Sequence, residues 1–504
     1  MPDFRGPTVG GGLTVTGVDG VSGAVDPATA ALAEGLPGRP LVEPLAQLRA
    51  ELSDEGLDHV VLAGSAPAAE AITRTFGVRM TVLDSTDPQR VRSTLADRLD
   101  RTVVVVADRS GESVETDAHR RAYLQAFLDD GLTALDAGRR FVVVTEPGTP
   151  LERTAHEMGA RRVVPAGADR ALSPVGLVPS ALAGADVTTL LDEATEFGAT
   201  LGADDSPGAA LGGALTTAAG TGRDTLVVAD DGTGVVLGDW IEELLAETTG
   251  KDGRGILPVA VENPAAAVGS DALLVTVGGA LRPGAVPGGG GAPDVTVNGP
   301  LGAQFVAWEY ATVATARALG IDPAAHPDIR ESELNTARLL THGLPHTTPA
   351  LVDGAIEVYA DAAVLGAATD VRGAVDGLLN AIGDHGYVAV MAFLDPVVDA
   401  DAAGLRAALA ARTHRPVTFG WGPRLLRSCG QYHKGGPQNG GFLQLTGAVI
   451  TDLPVPGTDY TFGTLQAAQA AGDLQALGGR GRPIVRLHLT DRAAGLAQLL
   501  EAVR

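Results

Sequence analysis

Residues 102–117 read TVVVVADRSGESVETD. The first six, Thr102–Ala107, carry no charge and are mostly β-branched. That is the pattern of a strand buried on both faces of a parallel sheet, since a strand with one wet face alternates apolar and polar residues. A polar turn containing Gly111 ends the strand, and a helical pattern follows over Glu115–Ala137. Upstream the spacing predicts a helix over Leu41–Leu52, a strand over His59–Ala63 and a helix over Ala66–Thr75. A strand over Arg79–Leu83 and a helix over Pro88–Leu99 follow, and Phe141–Thr145 is the next strand beyond the central run. Strands alternating with helices imply an α/β fold, a parallel sheet covered on both faces. Such sheets bind ligands at the carboxyl ends of their strands.

A second unit of the same kind starts near Gly208. It has predicted strands at Leu226–Ala229 and Leu273–Val277, a helix at Trp240–Thr248 between them, and a closing helix at Gln304–Leu319. The run GAVPGGGGAP (284–293) reads as a flexible insertion. A third unit, from about Leu344 to Arg504, holds strands at Tyr387–Phe393, Val417–Gly420 and Ile484–Leu489 and a helix at Ala402–Arg412. Residues 1–40 are rich in Gly and Pro, show no sustained period and read as a mostly loose arm. The expected division is therefore 1–40, 41–207, 208–343 and 344–504.

With 504 residues the chain exceeds one ordinary core, and 45% hydrophobic against 19% charged residues is a globular balance. Aromatic residues are only 4%, so Val, Leu and Ala must fill the interior. The formal net charge of −24 repels a phosphate backbone, which argues against nucleic-acid partners. An anionic substrate would need a local positive or hydrogen-bonding pocket against that field. The single cysteine, Cys429, excludes an intrachain disulfide and a thiolate metal cluster, and the ten histidines form no H-x-x-x-H pair. No signal segment and no bilayer-length apolar run is visible, so the expectation is a soluble, cytoplasmic protein without membrane contact.

Five segments, in order, resemble the glucose-6-phosphate isomerase family, in particular its long form from high-GC bacteria and the isomerase half of transaldolase–isomerase fusions. They are VVVVADRSGESVETD (103–117), ALSPVGLVPSALAGADV (171–187), LGDWIEELLAETTGKDGRGILPV (237–259), NGPLGAQFVAWEYATVATARALGI (298–321) and PRLLRSCGQYHKGGPQNGGFLQLTG (423–447). The resemblance implies two sugar-isomerase domains, each a doubly wound parallel sheet, followed by a C-terminal α/β extension. It implies metal- and cofactor-free interconversion of glucose 6-phosphate and fructose 6-phosphate through a cis-enediol. A glutamate moves the proton, hydroxyls hold the phosphate, an arginine steadies the enediolate, and a lysine and a histidine assist ring opening. The family commonly builds its site between two subunits, so a homodimer is the assembly it allows.

The resemblance places these roles residue by residue. Glu247, in AETTGK, falls on the family's E-S-x-G-K position. A carboxylate suits the step because partial burial can tune it to take and return a proton near neutral pH. Its bland alternative is a solvated acid near a helix end, beside Glu242 and Glu243. The phosphate loop, S-K-S-G-x-T-x-E-T in the family, reads Asp108 to Thr116, and Ser110, Ser113 and Thr116 remain as candidate phosphate donors. A helix N-cap at Ser113 is the structural alternative. Asp108 replaces a serine. At roughly 4 Å and an effective dielectric of about 20, each unit of like charge costs about 4 kcal/mol. A hydroxyl hydrogen bond returns about 1 kcal/mol. Asp108 must therefore turn away, pair with Arg109 or defeat phosphate binding.

Other family positions are altered. The first glycine loop becomes GSAPAAE (64–70), shorter and without its paired serines. The arginine position holds Ala168, with Arg170 two residues on as the candidate substitute. The ring-opening lysine position holds Glu333, a charge reversal, and His326 replaces a glutamine as a further candidate substrate contact. Gln431, His433 and Lys434 lie in the stretch GQYHKGGPQNGG, which reads as an ordered surface loop in preference to a phosphate site. Three readings stay open: an active isomerase based on Glu247, a non-catalytic relative that binds a sugar phosphate or a partner protein, and an isomerase of a different, uncharged sugar.

Overall fold

Thr102–Ala107 is a strand buried at every position, and its alternate residues enter two separate cores. Val103 and Val105 face one, Val104 and Val106 the other, which is why no position tolerates a polar side chain. The computed structural model describes residues 7–18, 38–203, 206–262, 272–279, 293–325 and 327–504. The strands are β1 (Thr8–Gly10), β2 (Leu13–Thr16), β3 (His59–Ala63), β4 (Thr81–Leu83), β5 (Thr102–Ala107), β6 (Phe141–Thr145) and β7 (Arg162–Pro165). The last five form an all-parallel sheet in the order β4-β3-β5-β6-β7. Chain direction across this sheet reverses between β3 and β5. The loops leaving those two strands diverge there and leave a crevice.

β8 (Thr225–Asp230), β9 (Leu257–Val261), β10 (Ala272–Gly278) and β11 (Val295–Asn298) build a second parallel sheet, β11-β10-β8-β9. The arm expected to be loose over 1–40 is corrected in part. β1 and β2 form a hairpin, and β2 adds to β11 antiparallel. Leu13 and Val15 point into the core while Thr14 and Thr16 do not, a period-2 pattern too short to read from sequence. Most of the insertion at 284–293 lies outside the described residues.

The third sheet comprises β12 (Leu351–Asp353), β13 (Ile356–Ala360), β14 (Tyr387–Phe393), β15 (Val417–Trp421), β16 (Gly440–Gly447) and β17 (Ile484–Leu489), in the order β12-β13-β17-β16-β14-β15. Its four central and outer strands β14 to β17 are parallel, and the β12–β13 hairpin is antiparallel. The molecule is thus α/β with three mostly parallel sheets.

Packing ties residues 344–504 to the rest. Tyr387, Met391 and Phe393 on one face of β14 share a core with Val227, Leu257 and Val259 of the second sheet. The helix Phe462–Gly479 brings Phe462 and Leu465 onto the face of the first sheet that holds Val104 and Val106. It also lies against the helix Ile329–His342, where a Cβ on Gly472 would stand 2.8 Å from Thr336 Oγ1, so only glycine permits that approach. The single helix predicted over Glu115–Ala137 is two, Val114–Asp129 and Ala134–Gly138, because Gly131 adopts φ +94° between them.

Candidate active site

The loop leaving β5 lies at the reversal point of the first sheet, beside Gly64 at the end of β3. A Cβ on Gly64 would meet Ala107 O at 2.5 Å. Ser113 caps the helix Val114–Asp129, accepting from Thr116 N–H at 3.4 Å, and its hydroxyl donates to Thr116 Oγ1 at 3.0 Å. Asp108 does not pair with Arg109. It turns into its own loop. Ser110 Oγ donates to Asp108 Oδ1 at 2.9 Å and Ser113 N–H donates to Asp108 Oδ2 at 2.8 Å. Arg109 instead reaches Asp169 at 3.2 Å and Glu146 at 3.6 Å.

Glu247 lies two residues before the end of the helix Gly238–Thr249, one turn beyond Glu243. It is half-buried. Burial, and then the like charges of Glu243 and Asp169, hold its carboxyl well above the ordinary range, with Arg427 and Lys251 opposing. Burial pushes Glu243 up to about 7 against the pull of Arg424. It pushes Glu242 up to about 8, although the Cys429 thiol donates to Glu242 Oε1 at 3.0 Å.

The cations that answer these acids come from residues 424–427, which sequence reading did not single out. Arg424 bridges Glu70 at 2.7 Å and Asp84 at 3.4 Å. Arg427 reaches Glu115 at 3.5 Å and Glu333 at 3.2 Å, and it also feels the charges of Asp108 and Glu247. Arg427 thus reaches Glu115 of the 108–116 loop, and the charges of Asp108 and Glu247 both act on it. The signal in the sequence was two arginines one helical turn apart in PRLLRS, within a segment already resembling the family.

The remaining candidates fall as follows. Ser110 and Ser113 are on the cleft loop, their groups engaged by Asp108 and by Thr116, which is itself 3% exposed. Arg170 donates to Glu309 Oε2 at 3.1 Å, and Ala171 N–H donates to Glu309 Oε1 at 2.7 Å, so this guanidinium is held by a buried carboxylate. Glu333, at the altered lysine position, is pushed up by burial and drawn down by Arg427. His326 lies outside the described residues. The stretch 431–434 is not a surface loop. Gln431 donates to Gly250 O and to Asp328 Oδ2, His433 Nδ1 is 3.0 Å from the Tyr387 hydroxyl, and Lys434 Nζ is 2.7 Å from Asp473 in a pair 1% exposed on each side. Of these contacts, the two made by Gln431 tie residues 344–504 to residues 208–343. Lys251 donates to the carbonyls of Asp322 and Pro323.

A cavity of about 190 Å³ adjoins the cleft through Glu243 and Arg424, with Glu242, Phe419, Trp421 and Cys429 on its walls. Among the described residues no cluster of three or more His, Cys, Asp or Glu side chains could hold a metal ion, and no helix is long and apolar enough to cross a membrane.

No family model matches the chain. It is 36% identical over 218 residues to a protein described as "Probable glucose-6-phosphate isomerase" from Haloarcula marismortui, covering 40% of this chain and 49% of that one. It is 33% identical over 183 residues to the glucose-6-phosphate isomerase of Gloeothece citriformis, covering 34% of each. The chain thus spans about half or less of the length of these curated relatives. A crystal structure of a glucose-6-phosphate isomerase from Chlamydia trachomatis superposes with a TM-score of 0.51 at 15% identity, covering 66% of this chain and 89% of that one, which speaks for the fold. With that fold, and with homology over about two-fifths of its length, the chain is a relative of the glucose-6-phosphate isomerases.

Proposed function

We propose that the protein is an aldose–ketose isomerase in which Glu247 carries the proton. The carboxylate takes the proton from C2 of an open-chain aldose. The resulting enediolate is stabilised by a cation in the cleft; the O2 hydroxyl proton passes to O1, and as the C2 carbonyl forms the protonated Glu247 returns its proton to C1. The single observation that carries this reading is the position of Arg427, which lies 3.5 Å from Glu115 of the 108–116 loop and within the field of the Glu247 carboxyl. A half-buried carboxyl with a raised pKa is suited to taking and giving the proton.

On glucose 6-phosphate and fructose 6-phosphate, turnover is expected to be weak. Asp108 occupies donors of the phosphate loop, Arg170 is committed to Glu309, and Ala168 offers no charge. Those losses also favour a second reading, a non-catalytic binding protein on the same fold. A cytoplasmic setting, a place in carbohydrate metabolism and a homodimer belong to the proposal as well. A coupled assay from fructose 6-phosphate on the parent and on Glu247→Gln tests it. The expected result is slow turnover that disappears in Glu247→Gln. Equal rates in both proteins, or none in the parent on any sugar, would leave the second reading standing.

A further inference from the structure

We propose that Asp108 is a built-in anion occupying the loop that would receive a phosphate, so that the cleft takes an uncharged, unphosphorylated sugar or polyol. The inference rests on the isomerase reading for the location of the site and names the substrate class that this site accepts. Its basis is the hydrogen bonding of the loop. A phosphate at a strand–loop–helix turn is held by backbone N–H groups and short hydroxyls. Here Ser113 N–H and Ser110 Oγ both donate to the Asp108 carboxylate, and the Ser113 hydroxyl is turned onto Thr116. Glu112 N–H donates to Ser110 Oγ, which joins it to the same closed network. The carboxylate sits where the incoming anion would have to sit.

The surroundings reinforce this. Arg109 is paired with Asp169, Arg170 with Glu309, and Arg427 with Glu115 and Glu333. A phosphate would have to break one of these pairs and then face Asp108. Carboxyl oxygens, by contrast, are good acceptors for the hydroxyl donors of a neutral polyol. An uncharged ligand also enters a protein of net charge −24 without working against its field.

The test is calorimetric titration of the full-length chain with sorbitol and with sorbitol 6-phosphate, a pair that differs only in the phosphate. The parent, Asp108→Ser and Asp108→Asn are compared. The parent should bind sorbitol 6-phosphate no more tightly than sorbitol. Asp108→Ser should bind the phosphate at least about tenfold more tightly than the parent does, with no matching gain for sorbitol, and added salt should erode that gain. Asp108→Asn keeps the shape and removes the charge, so it should shift in the same direction even if the serine variant folds poorly. A parent that prefers sorbitol 6-phosphate by about tenfold or more, binds neither compound, or keeps its ratio in both variants overturns the proposal. Retained sorbitol binding with no isomerase turnover supports it and sinks the isomerase reading instead.

Discussion

Arg427 Nη2 lies 3.2 Å from Glu333 Oε1. The first residue stands in the segment that joins the third unit to the cleft, and the second stands where the resembling family carries a lysine. The position thus holds an acid, and a cation reaches it from residue 427. If Arg427 neutralises the enediolate, Arg427→Met should lower kcat/KM by about 100- to 1,000-fold, the usual effect of removing one electrostatic stabiliser. Arg427→Lys should recover part of the loss. Steady-state kinetics of the three proteins decide this, and an unimpaired methionine variant would refute the role.

The acids along the helix Gly238–Thr249 predict an alkaline rate profile. Glu247 must be ionised to act as base, and burial and Glu243 hold its proton on. The competent fraction therefore grows as pH rises through the raised pKa. Removing the like charge one turn away, in Glu243→Gln, should move the rising limb to lower pH. A pH–rate profile whose limb is unmoved, or moves upward, contradicts the assignment.

Glu242 gives a separate prediction for stability. Its folded-state carboxyl is pushed up to about 8, above the ordinary value of 4.5. The folded chain thus holds a proton that the unfolded chain releases over that interval. The contribution is fully present below the unfolded pKa and is lost as pH rises towards about 8. Thermal melts at pH 5.5 and pH 9 should show a steeper loss for the parent than for Glu242→Gln. Parallel losses would mean that this carboxyl is ionised in the folded chain.

The pair Lys434–Asp473 is buried on both sides, and Asp473 also accepts from Ser332 Oγ at 3.0 Å. Lys434→Met leaves that carboxylate uncompensated and should cost about 3–5 kcal/mol in urea unfolding. The double variant Lys434→Met, Asp473→Leu should recover most of it. A single variant as stable as the parent would show that water reaches the site.

The sheets were readable where long apolar runs met glycine turns. Thr102–Ala107, His59–Ala63 and Tyr387–Phe393 are strands over the residues expected. β1 and β2 were missed because their few alternating residues are too short a period to detect. The strand–loop–helix turn was legible at Asp108–Thr116, but the course of Asp108 was not, since its choice among neighbouring donors is a matter of side-chain rotation. Arg424 and Arg427 were quoted within a motif and passed over. Their partners Glu70, Asp84 and Glu115 lie more than 300 residues away, and no local pattern encodes such a pairing. Lys434 read as exposed because its glycine-rich neighbours suggest a loop. The residue that buries it, Asp473, is on another helix.

The origin of the cleft's cations bears on how the molecule is made. Synthesis delivers Glu70, Glu115, Glu243 and Glu247 first, and Arg427 follows about 180 residues after Glu247. At about 5 to 20 residues per second this is a delay of roughly 10 to 40 seconds. During it these acids lack the guanidinium groups of Arg424 and Arg427, while the valine-rich first sheet can already form. A ribosome stalled before residue 424 should therefore display a first sheet whose Val104 and Val106 face still lacks Phe462 and Leu465, beside acids still without their arginines.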